Sequence, residues 1–357
     1  MNPRFHALKV KDIRQETSDA VSIALSVPDD LKENYKYTPG QYLTFRTTID
    51  GEDVRRSYSI CTGLQENELR VAVKKMIQGK FSTFANDVLK VGEEMEVMTP
   101  MGTFTTEIDE NTEKSFVFFA GGSGITPVMS LIKTILHTAK KSNVTLIYGN
   151  RGIDHVIFRD ELEELKNLHM DKFSLMHVFS VEKLGNPLQE GLLDKNQIEK
   201  IYKAILEGQS IDEVFVCGPE PTIYAVKDVF EEAGFAPENV HFELFTSPTQ
   251  KDKKPLPKVA AADKVEANIK VILDGEEILL NLDSEGESIL DAASKMGADV
   301  PYACKGGVCC TCKAKVLEGT ARMDVNYALE KDEVDAGYIL TCQAHPTSDQ
   351  LVVSFDD

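Results

Sequence analysis

The stretch that decides the fold is PYACKGGVCCTCKA, residues 301–314. Three of its cysteines follow a C-x4-C-x2-C spacing, and a further cysteine comes after 29 intervening residues. The four are Cys304, Cys309, Cys312 and Cys342. This is the spacing of the thiolates that hold a plant-type [2Fe-2S] cluster. The spacing therefore predicts a carrier of single electrons in the C-terminal part of the chain.

A four-cysteine zinc site is the main alternative, but such a site usually shows two C-x2-C pairs. Only Cys309 and Cys312 form such a pair here, so the cluster is favoured. Cys310 is expected to be a small buried residue, because its neighbour Cys309 already takes the position that the spacing requires. Gly306 and Gly307 suit a loop around a cluster, which needs positive φ values and N–H groups near the sulfurs.

Length and composition indicate an ordinary globular protein. The chain has 357 residues, 42% of them hydrophobic, which suits roughly two or three domains. Its seven cysteines, five of them after residue 300, are too few and too clustered for a secreted disulfide framework. The N-terminus has no signal-peptide pattern, and no stretch approaches the roughly 20 apolar residues of a membrane span. We therefore expect a cytoplasmic protein.

The charge of the chain excludes one class of partner. A net charge of -19, without clustered Lys and Arg, argues against nucleic acid. From Val265 to the end there are 18 acidic and 7 basic residues, a net charge of -11. An acidic electron-transfer surface that meets a basic partner would explain this excess, and so would solubility alone.

Short segments of strand type fill the first hundred residues and predict an antiparallel β-barrel. They are Ala20–Val27, Gln41–Thr47, Arg56–Cys61, Leu69–Lys75 and Glu94–Met98. From Lys114 on, apolar runs alternate with helical stretches such as Pro127–Lys141, which predicts an α/β domain with a parallel sheet. These runs are Phe116–Ala120, Val144–Tyr148, Ser174–Phe179 and Glu213–Cys217.

Beyond these two domains the sequence predicts a linker and a third domain. Residues 247–264 are polar and rich in proline, as in a semi-rigid linker. A hairpin around Asp274-Gly275, with strands Asn268–Leu273 and Glu277–Leu282, and a helix over Glu287–Lys295 are predicted next. The predicted domains are residues 1–106, 107–246 and 265–357.

A source of electrons is also predicted. A nicotinamide gives two electrons as hydride, so a flavin is needed to pass them singly to a cluster. Arg56-Ser57-Tyr58-Ser59 offers a cation for phosphate, an aromatic ring for stacking and a hydroxyl, with Arg56 and Tyr58 on one face of a strand. An ordinary surface strand is the alternative.

Two further motifs are candidate phosphate sites. Gly79-Lys80-Phe81-Ser82-Thr83 precedes a predicted helix, Phe84–Leu89, with Ser82 as N-cap, and a helix N-terminus suits a pyrophosphate. A plain capped helix is the alternative. Gly121-Gly122-Ser123-Gly124-Ile125-Thr126-Pro127 follows an apolar strand and opens a helix, with Pro127 near its first position, as a dinucleotide phosphate site requires. A purely structural turn is the alternative there.

Taken together, four motifs resemble the ferredoxin-NADP reductase superfamily over nearly the whole chain. They are Arg56–Ser59, the turn at Gly121, Cys217-Gly218-Pro219 and Glu243-Leu244-Phe245. The C-terminal segment resembles the ferredoxin domain of oxygenase reductases, which implies an α+β domain of the β-grasp fold.

The resemblance implies roles for individual residues. Arg56 would bind the flavin phosphates, Tyr58 would stack on the isoalloxazine, and Ser59 would hydrogen-bond near N5. Ser82 and Thr83 would hold the pyrophosphate, which favours FAD over FMN. The implied catalytic residues are Tyr58, Ser59, Cys217 and Glu243, of which Cys217 would lie beside the nicotinamide. Glu243 and Phe245 would close over the flavin.

The implied cofactor-binding residues form two sets. The flavin set is Arg56, Ser57, Tyr58, Ser59, Val73, Lys74, Gly79, Lys80, Phe81, Ser82, Thr83 and Phe245. The nucleotide set is Gly121, Gly122, Ser123, Gly124, Thr126, Pro127, Asn150, Arg151, Cys217, Gly218 and Pro219.

Arg151 favours NADPH over NADH, because its guanidinium suits a 2'-phosphate that an acidic residue would repel. Related NADP-binding sequences have Ser-Arg where this chain has Ser180-Val181, so a second cation is missing unless Lys183 supplies it. NADH therefore stays open, and Arg151 as a surface residue is the alternative.

The resulting hypothesis is an enzyme that passes electrons from NADPH through FAD and the cluster to an oxygenase, by resemblance a di-iron enzyme. The reductase of another aromatic-ring oxygenase is one alternative. A non-enzymatic redox sensor, in which the first two domains only bind ligands, is the other.

Overall fold

The structure is a computed structural model that describes residues 4–245 and 264–356. The chain forms two compact units. One consists of His6–Leu244, and the other contains the described residues from Phe245 onward together with Arg4 and Phe5. The predicted linker, residues 247–264, lies outside the described residues except for Lys264.

The first sheet has six strands in the order β4-β3-β6-β1-β2-β5. They are β1 Phe5–Thr17, β2 Ala20–Ser26, β3 Tyr42–Ile49, β4 Glu52–Ser59, β5 Leu69–Lys74 and β6 Glu94–Met98. The pairs β1–β2, β2–β5, β3–β4 and β3–β6 are antiparallel. A bridge between Ile60 and Val71 connects the chain just after β4 to β5 at the other end of the order. The expectation of antiparallel strands in this region is confirmed.

The strand β1 is longer than any other strand of this sheet, and the sequence patterns do not predict it. Its sequence, FHALKVKDIRQET, carries many charged side chains, which obscure the alternation of apolar residues. Leu8 and Val10 are buried in the same core as Phe45 and Val71, while the alternating Lys9 and Lys11 are exposed. Burial on one face therefore makes β1 a strand in spite of its charge.

The second sheet follows in the same compact unit and has five strands in the order β11-β10-β7-β8-β9. They are β7 Ser115–Gly121, β8 Asn143–Asn150, β9 Phe173–Phe179, β10 Glu213–Cys217 and β11 Val240–Glu243. All four pairings are parallel, which confirms the predicted parallel sheet. The carboxyl ends of these strands therefore meet at one edge, where open parallel sheets bind ligands.

Helices cover this sheet and its neighbour. They are α1 Lys80–Asp87, α2 Ile125–Thr138, α3 Arg159–Leu168, α4 Lys195–Ile201 and α5 Glu220–Glu232. Most of α2 is buried, since Val128, Leu131 and Ile135 have no exposed surface. Its N-terminus lies at the end of β7, so the helix points this terminus at the ligand-binding edge.

The other compact unit contains a five-stranded mixed sheet, β13-β12-β18-β14-β16, and the pair β15–β17. Its strands are β12 Glu266–Leu273, β13 Glu276–Asp283, β14 Lys313–Glu318, β15 Ala321–Met323, β16 Tyr338–Leu340, β17 Ala344–Pro346 and β18 Gln350–Ser354. Its helices are α6 Ile289–Lys295 and α7 Lys331–Asp335. The predicted hairpin is present, and Asp274 and Gly275 both have positive φ, as a two-residue hairpin turn requires.

In the described parts of the chain, no helix combines the length and the apolar character that a membrane span needs.

Candidate functional site

Three predicted residues meet where the second sheet faces β4. Ser59, the last residue of β4, donates a hydrogen bond from its hydroxyl to Glu243 Oε2 at 3.0 Å, across 184 residues of sequence. Glu243 ends β11 and pairs in register with Cys217, which ends β10. The parallel register thus brings a thiol and a carboxyl side by side at the carboxyl edge of the sheet.

Burial controls the protonation of these groups. Glu243 is partly buried, and this burial raises its pKa to about 8, against a smaller opposing effect of the Ser59 hydrogen bond. The pKa of Cys217 is raised by burial as well and by the nearby Glu243 carboxyl. At neutral pH the site therefore contains a neutral thiol and a carboxyl that can hold a proton.

Tyr58, beside Ser59, lies in an aromatic group at the surface of the first sheet. Its ring centroid is 5.3 Å from that of Phe81 and 6.1 Å from that of Phe45, and burial raises the pKa of its phenol. Arg56 is exposed, with Nη1 donating to the carbonyl of Arg55 at 2.7 Å. Ser57 hydrogen-bonds through its hydroxyl to Thr44. The strand therefore offers an aromatic surface and a cation next to the hydrogen bond between Ser59 and Glu243.

The phosphate motif at Gly79 differs from its prediction. Helix α1 starts at Lys80 with Gly79 as N-cap, so the predicted cap at Ser82 and the predicted start at Phe84 are wrong. The Ser82 hydroxyl is buried; it accepts from the Met76 N–H at 3.0 Å and donates to the Gly79 carbonyl at 3.2 Å. Thr83 lies in the first turn of α1, where it is partly exposed.

The remaining predicted flavin residues lie around this helix or outside it. Phe81 is buried in α1, and Lys80 pairs with Glu52 at 2.5 Å. Val73 is buried in β5, next to Lys74, whose Nζ is 3.6 Å from Asp19. Phe245 is 42% exposed and belongs to the other compact unit, so its role stays a prediction.

The backbone of the glycine-rich turn packs closely against the Cys217-Gly218-Pro219 segment. A Cβ atom on Gly124 would lie 2.1 Å from the Cys217 carbonyl oxygen, and one on Gly121 would lie 2.4 Å from Pro219 Cδ. Only glycine permits this approach. Gly122 has a φ of +53°, and Gly124 is the N-cap of α2. The turn therefore leads directly into the N-terminus of this helix, where unpaired N–H groups suit an anion.

Two other residues of the nucleotide set complete this turn. Thr126 is buried, and its hydroxyl donates to the Ser123 carbonyl at 3.1 Å. Pro127 is the third residue of α2, where its missing N–H leaves no intrahelical bond unmade. The buried Thr126 hydroxyl therefore holds the turn from its protein side, while Ser123 itself remains partly exposed.

The candidate residues for the 2'-phosphate lie at the ends of β8 and β9. Asn150 ends β8, and Arg151 follows it with an exposed side chain. The Arg151 carbonyl accepts from the N–H groups of Val181 and Glu182 at 3.0 and 3.1 Å. Lys183 is paired with Glu190 at 3.3 Å. The Arg151 side chain is therefore exposed at this edge of the sheet, whereas the Lys183 ammonium is paired with the Glu190 carboxylate.

The four cysteines of the other unit form two pairs. The Cys309 thiol donates to Cys304 Sγ at 3.1 Å, and Cys312 is hydrogen-bonded to Cys342. The contact with Cys309 and the neighbouring backbone N–H groups lower the pKa of Cys304. Within residues 4–245 and 264–356, no three His, Cys, Asp or Glu side chains are grouped around one metal position. Two thiol pairs match a cluster with two irons, each iron held by two cysteines.

The loop that carries these cysteines is shaped by Lys305 and Gly307, whose φ values are +50° and +75°. Gly306 has no positive φ, so that part of its prediction is wrong; its N–H instead donates to Cys304 Sγ at 3.3 Å. Cys310 is buried, as expected. The sequence patterns missed Lys305, since a lysine gives no signal of left-handed backbone.

The chemistry of both regions fits the predicted groups. Four buried or half-buried thiols with an N–H donor fit an iron-sulfur cluster. The start of α2 packs directly on the end of β10 at Gly124, and a Cβ on Gly122 would meet no atom within 4 Å, so the turn offers backbone beside open space, which fits a dinucleotide phosphate. Sequence reasoning missed one residue of this region, Tyr148, whose hydroxyl donates a hydrogen bond to the Gly122 carbonyl of the turn. The available signal was an aromatic residue that ends an apolar run directly before Gly149.

Comparison with known proteins gives three matching family models. They are an oxidoreductase FAD-binding domain over residues 7–106, an oxidoreductase NAD-binding domain over 118–228, and a 2Fe-2S iron-sulfur cluster binding domain over 271–347.

Relatives match over nearly the full length of both chains. The chain is 40% identical to a subunit of the 1,2-phenylacetyl-CoA epoxidase of Escherichia coli, over 99% of this chain and 98% of that protein. It is 34% identical to the ferredoxin reductase component of a 3-ketosteroid-9-alpha-monooxygenase from Rhodococcus rhodochrous, over 98% and 96%. The solved structure of phthalate dioxygenase reductase matches with a TM-score of 0.58 at 24% identity, over 98% of each chain, and shows a common fold.

Proposed function

This chain belongs to the family of reductase components of oxygenases that join FAD-binding, NAD-binding and 2Fe-2S domains, and we propose that it passes electrons from NADPH to an oxygenase. Bound FAD would accept two electrons as hydride from the nicotinamide and release them singly to the cluster. The domains proposed for these steps are residues 1–106, a flavin β-barrel; 107–246, a nucleotide domain; and 265–357, a β-grasp domain after a linker over 247–264.

One observation carries this proposal: the hydrogen bond from Ser59 to Glu243. It joins the end of the strand with the flavin motif to the carboxyl edge of the sheet with the nucleotide turn. Cys217 pairs with Glu243 in register, and Gly124 lies against the Cys217 carbonyl. The hydroxyl, the carboxyl, the thiol and the phosphate turn thus converge, as a transfer between flavin and nicotinamide requires.

The protonation of Glu243 gives this corner a chemical role. With a pKa of about 8, Glu243 holds a proton at neutral pH and can hydrogen-bond through Ser59 without placing a negative charge in the site. Cys217 stays a neutral thiol, since burial raises its pKa. We propose that Ser59 and Glu243 move a proton at the flavin edge, and that Cys217 shapes the position of the nicotinamide.

The paired cysteines would hold the cluster that accepts the electrons. Cys304 with Cys309, and Cys312 with Cys342, would each hold one iron of the cluster. The acidic character of residues 265–357, net -11, would guide this domain to a basic surface of the acceptor.

We propose that the acceptor is the di-iron oxygenase of phenylacetyl-CoA epoxidation in phenylacetate degradation. The support is the 40% identity, over nearly the full length, to the matched subunit of 1,2-phenylacetyl-CoA epoxidase. A second candidate is another oxygenase, because a steroid monooxygenase reductase is 34% identical over a similar length. Reduction of purified di-iron and Rieske oxygenase partners by this protein would separate the two, since only the true acceptor should be reduced quickly at equal concentration.

NADPH is the proposed donor because Arg151 offers an exposed guanidinium at the end of β8. Lys183 gives little support, since it is paired with Glu190. We expect Arg151→Ala to lower kcat/KM for NADPH roughly tenfold, about the value of one charge-assisted contact, and to leave kcat/KM for NADH nearly unchanged. Equal losses with both nucleotides would assign Arg151 another role.

The experiment that tests the whole proposal is reduction of cytochrome c and of ferricyanide by the purified protein with NADPH and with NADH. Flavin, iron and sulfide content are measured on the same sample. We expect one FAD, two irons and rapid reduction of both acceptors. A preparation with all cofactors that oxidises neither nucleotide would reject the function and favour a redox sensor.

A further inference from the structure

Tyr148 is a buried tyrosine that the proposed function does not use. It lies near the end of β8 with no exposed surface, between neighbours Ala120 in β7 and His177 in β9. Its hydroxyl reaches the adjacent turn and donates to the Gly122 carbonyl at 2.9 Å. The side chain therefore connects the second strand of the nucleotide sheet to the glycine-rich turn.

The bonded carbonyl belongs to the residue that gives the turn its shape. Gly122 has a φ of +53°, and its carbonyl also accepts the N–H of Ile125 at the start of α2. Two donors from different elements thus fix one oxygen. Because a carbonyl held by two donors cannot rotate without losing both bonds, the direction of this peptide group is set by the protein.

The orientation of the Gly122 carbonyl fixes the orientation of the Ser123 N–H. In a trans peptide unit the C=O and the following N–H point to opposite sides. Tyr148 and Ile125 hold the Gly122 oxygen on the protein side, so the N–H of Ser123 is turned the other way. Ser123 is partly exposed, and it directly precedes Gly124, the N-cap of the 14-residue helix α2. A residue with left-handed backbone followed by a helix start gives a concave set of N–H groups that suits an anion.

We propose that Tyr148 is a positioning residue that presets the Ser123 N–H as a donor to the pyrophosphate of the nicotinamide dinucleotide. This inference rests on the proposed function, since it assumes that the turn binds such a ligand. Tyr148 does not touch the ligand; it acts through the Gly122–Ser123 peptide group. Without the phenol, the peptide group can rotate, and part of the binding free energy is spent on ordering it.

A structural role alone would give a different result, and Tyr35 provides the matched control. Its phenol is also buried and donates to a backbone carbonyl, that of Val97, at 2.6 Å. That bond lies in the first sheet, away from the nucleotide turn. Tyr148→Phe and Tyr35→Phe remove the same atom and a phenol-to-carbonyl hydrogen bond, and Tyr35→Phe also removes a contact with His6 Nδ1 at 3.1 Å, so the control should lower stability at least as much.

The experiment is calorimetric titration of the FAD- and cluster-loaded protein with NADP+ and with ADP-ribose. For Tyr148→Phe we expect the dissociation constant to rise roughly threefold to tenfold for both ligands, the value of one hydrogen bond. KM for NADPH should rise by the same factor, while kcat at saturation stays within about twofold. For Tyr35→Phe we expect unchanged affinity.

A second variant tests the path through the peptide group. Ser123→Pro removes the N–H itself, and the φ of proline suits a helix start. We expect it to weaken NADP+ binding at least as much as Tyr148→Phe. The double variant should lose no more affinity than Ser123→Pro alone, because the phenol has no donor left to orient.

Two results would overturn the inference. One is wild-type affinity in Tyr148→Phe; the other is an additive loss in the double variant. Both are read from nucleotide binding. Failure of the proposed function would look different, namely a wild-type protein that binds NADP+ but transfers no electrons to an acceptor.

Discussion

The two candidate sites of this protein differ in how far apart in the sequence their residues lie. The cysteine loop gathers three of its four thiols within nine consecutive residues, Cys304 to Cys312. The corner at Ser59 joins residues 184 positions apart and depends on the ends of three strands and on a glycine turn. One site is made of side chains on a local loop, and the other is made of backbone and tertiary contacts.

This difference sets what each region tolerates. A cluster loop needs its sulfur ligands and a backbone that curves, so most other side chains in it can vary. The strand-end corner needs close approach of main chains, so a single added methyl group can destroy it while every functional side chain stays in place. The predictions below test this contrast, beginning with the largest effect.

Loss of one cluster thiol should abolish electron output. We expect Cys309→Ala to lose the iron and sulfide and to reduce cytochrome c roughly 100-fold more slowly, because the cluster is the proposed route from the flavin to a protein acceptor. Ferricyanide reduction should persist, since the flavin reacts with it directly. Iron analysis and the two acceptor assays measure both effects.

Cys310→Ala is the control for that variant, because Cys310 is buried beside the ligands but lies outside both thiol pairs. We expect it to keep its iron and its cytochrome c activity. If Cys310→Ala lost the iron and Cys309→Ala kept it, the ligand assignment would be wrong by one residue.

A methyl group on Gly124 should damage the strand-end corner without removing any functional side chain. The new Cβ would lie 2.1 Å from the Cys217 carbonyl oxygen and 2.8 Å from the Gly218 nitrogen, both rigid backbone atoms. We expect Gly124→Ala to weaken NADP+ binding about 30-fold, which corresponds to about 2 kcal/mol. Titration with NADP+ measures this.

Gly208→Ala provides the comparison. Gly208 has a φ of +81° but no atom within 4 Å of a new Cβ. The variant should lose about 1 kcal/mol of stability from backbone strain and keep its nucleotide affinity. Equal losses of affinity in the two variants would show that nucleotide binding responds to a general loss of stability rather than to the contact with Cys217.

The contrast also explains what the sequence reveals. The parallel sheet, the hairpin at Asp274-Gly275 and a 2Fe-2S domain are marked by local patterns, so spacing and periodicity predict them, while the four cysteine ligands themselves stay a prediction. The pairing of Ser59 with Glu243 is tertiary, and only resemblance to a family suggests it. No periodicity links two residues that meet through the register of separate sheets.

The errors have physical causes of the same kind. Serine is a favoured N-cap, but Ser82 lies inside α1 because Gly79 caps the helix and the Ser82 hydroxyl bonds Met76 and Gly79. The strand β1 is hidden by its charged face, and Lys305 takes the left-handed backbone that a glycine was expected to supply. In each case the surrounding structure overrides a local preference.

Burial of Glu243 should make stability depend on pH. The folded state holds a proton up to a pKa of about 8, whereas an unfolded chain releases it near the ordinary value of 4.5. The stabilisation is therefore complete below pH 4.5 and is lost as pH rises to about 8, by on the order of 5 kcal/mol at most. Glu243→Gln lacks this titration, so its stability relative to wild type should rise steadily between pH 5 and 8.

Chemical unfolding of both proteins at several pH values measures this slope, with Glu238→Gln as the control. Glu238 is an exposed carboxylate in the turn that precedes β11. Its variant should follow the wild-type curve. Parallel curves for Glu243→Gln and wild type would mean that Glu243 is ionised in the folded protein and cannot hold the proton that the proposed mechanism needs.

The smallest effect is expected at Lys183. This residue tests whether a cation that is paired with a carboxylate contributes to nucleotide binding as Arg151 does. Its ammonium is 3.3 Å from Glu190, whose carboxylate also accepts the N–H groups of Leu184 and Gly185 at 3.0 and 2.7 Å. Glu190 therefore keeps two donors when the lysine is removed. We expect Lys183→Ala to change KM for NADPH less than twofold, because exposed ion pairs contribute little, whereas Arg151→Ala should change it several-fold. A large, salt-sensitive loss of NADPH affinity in Lys183→Ala, with NADH unaffected, would mean that Lys183 leaves Glu190 for the 2'-phosphate and that both cations read the nucleotide.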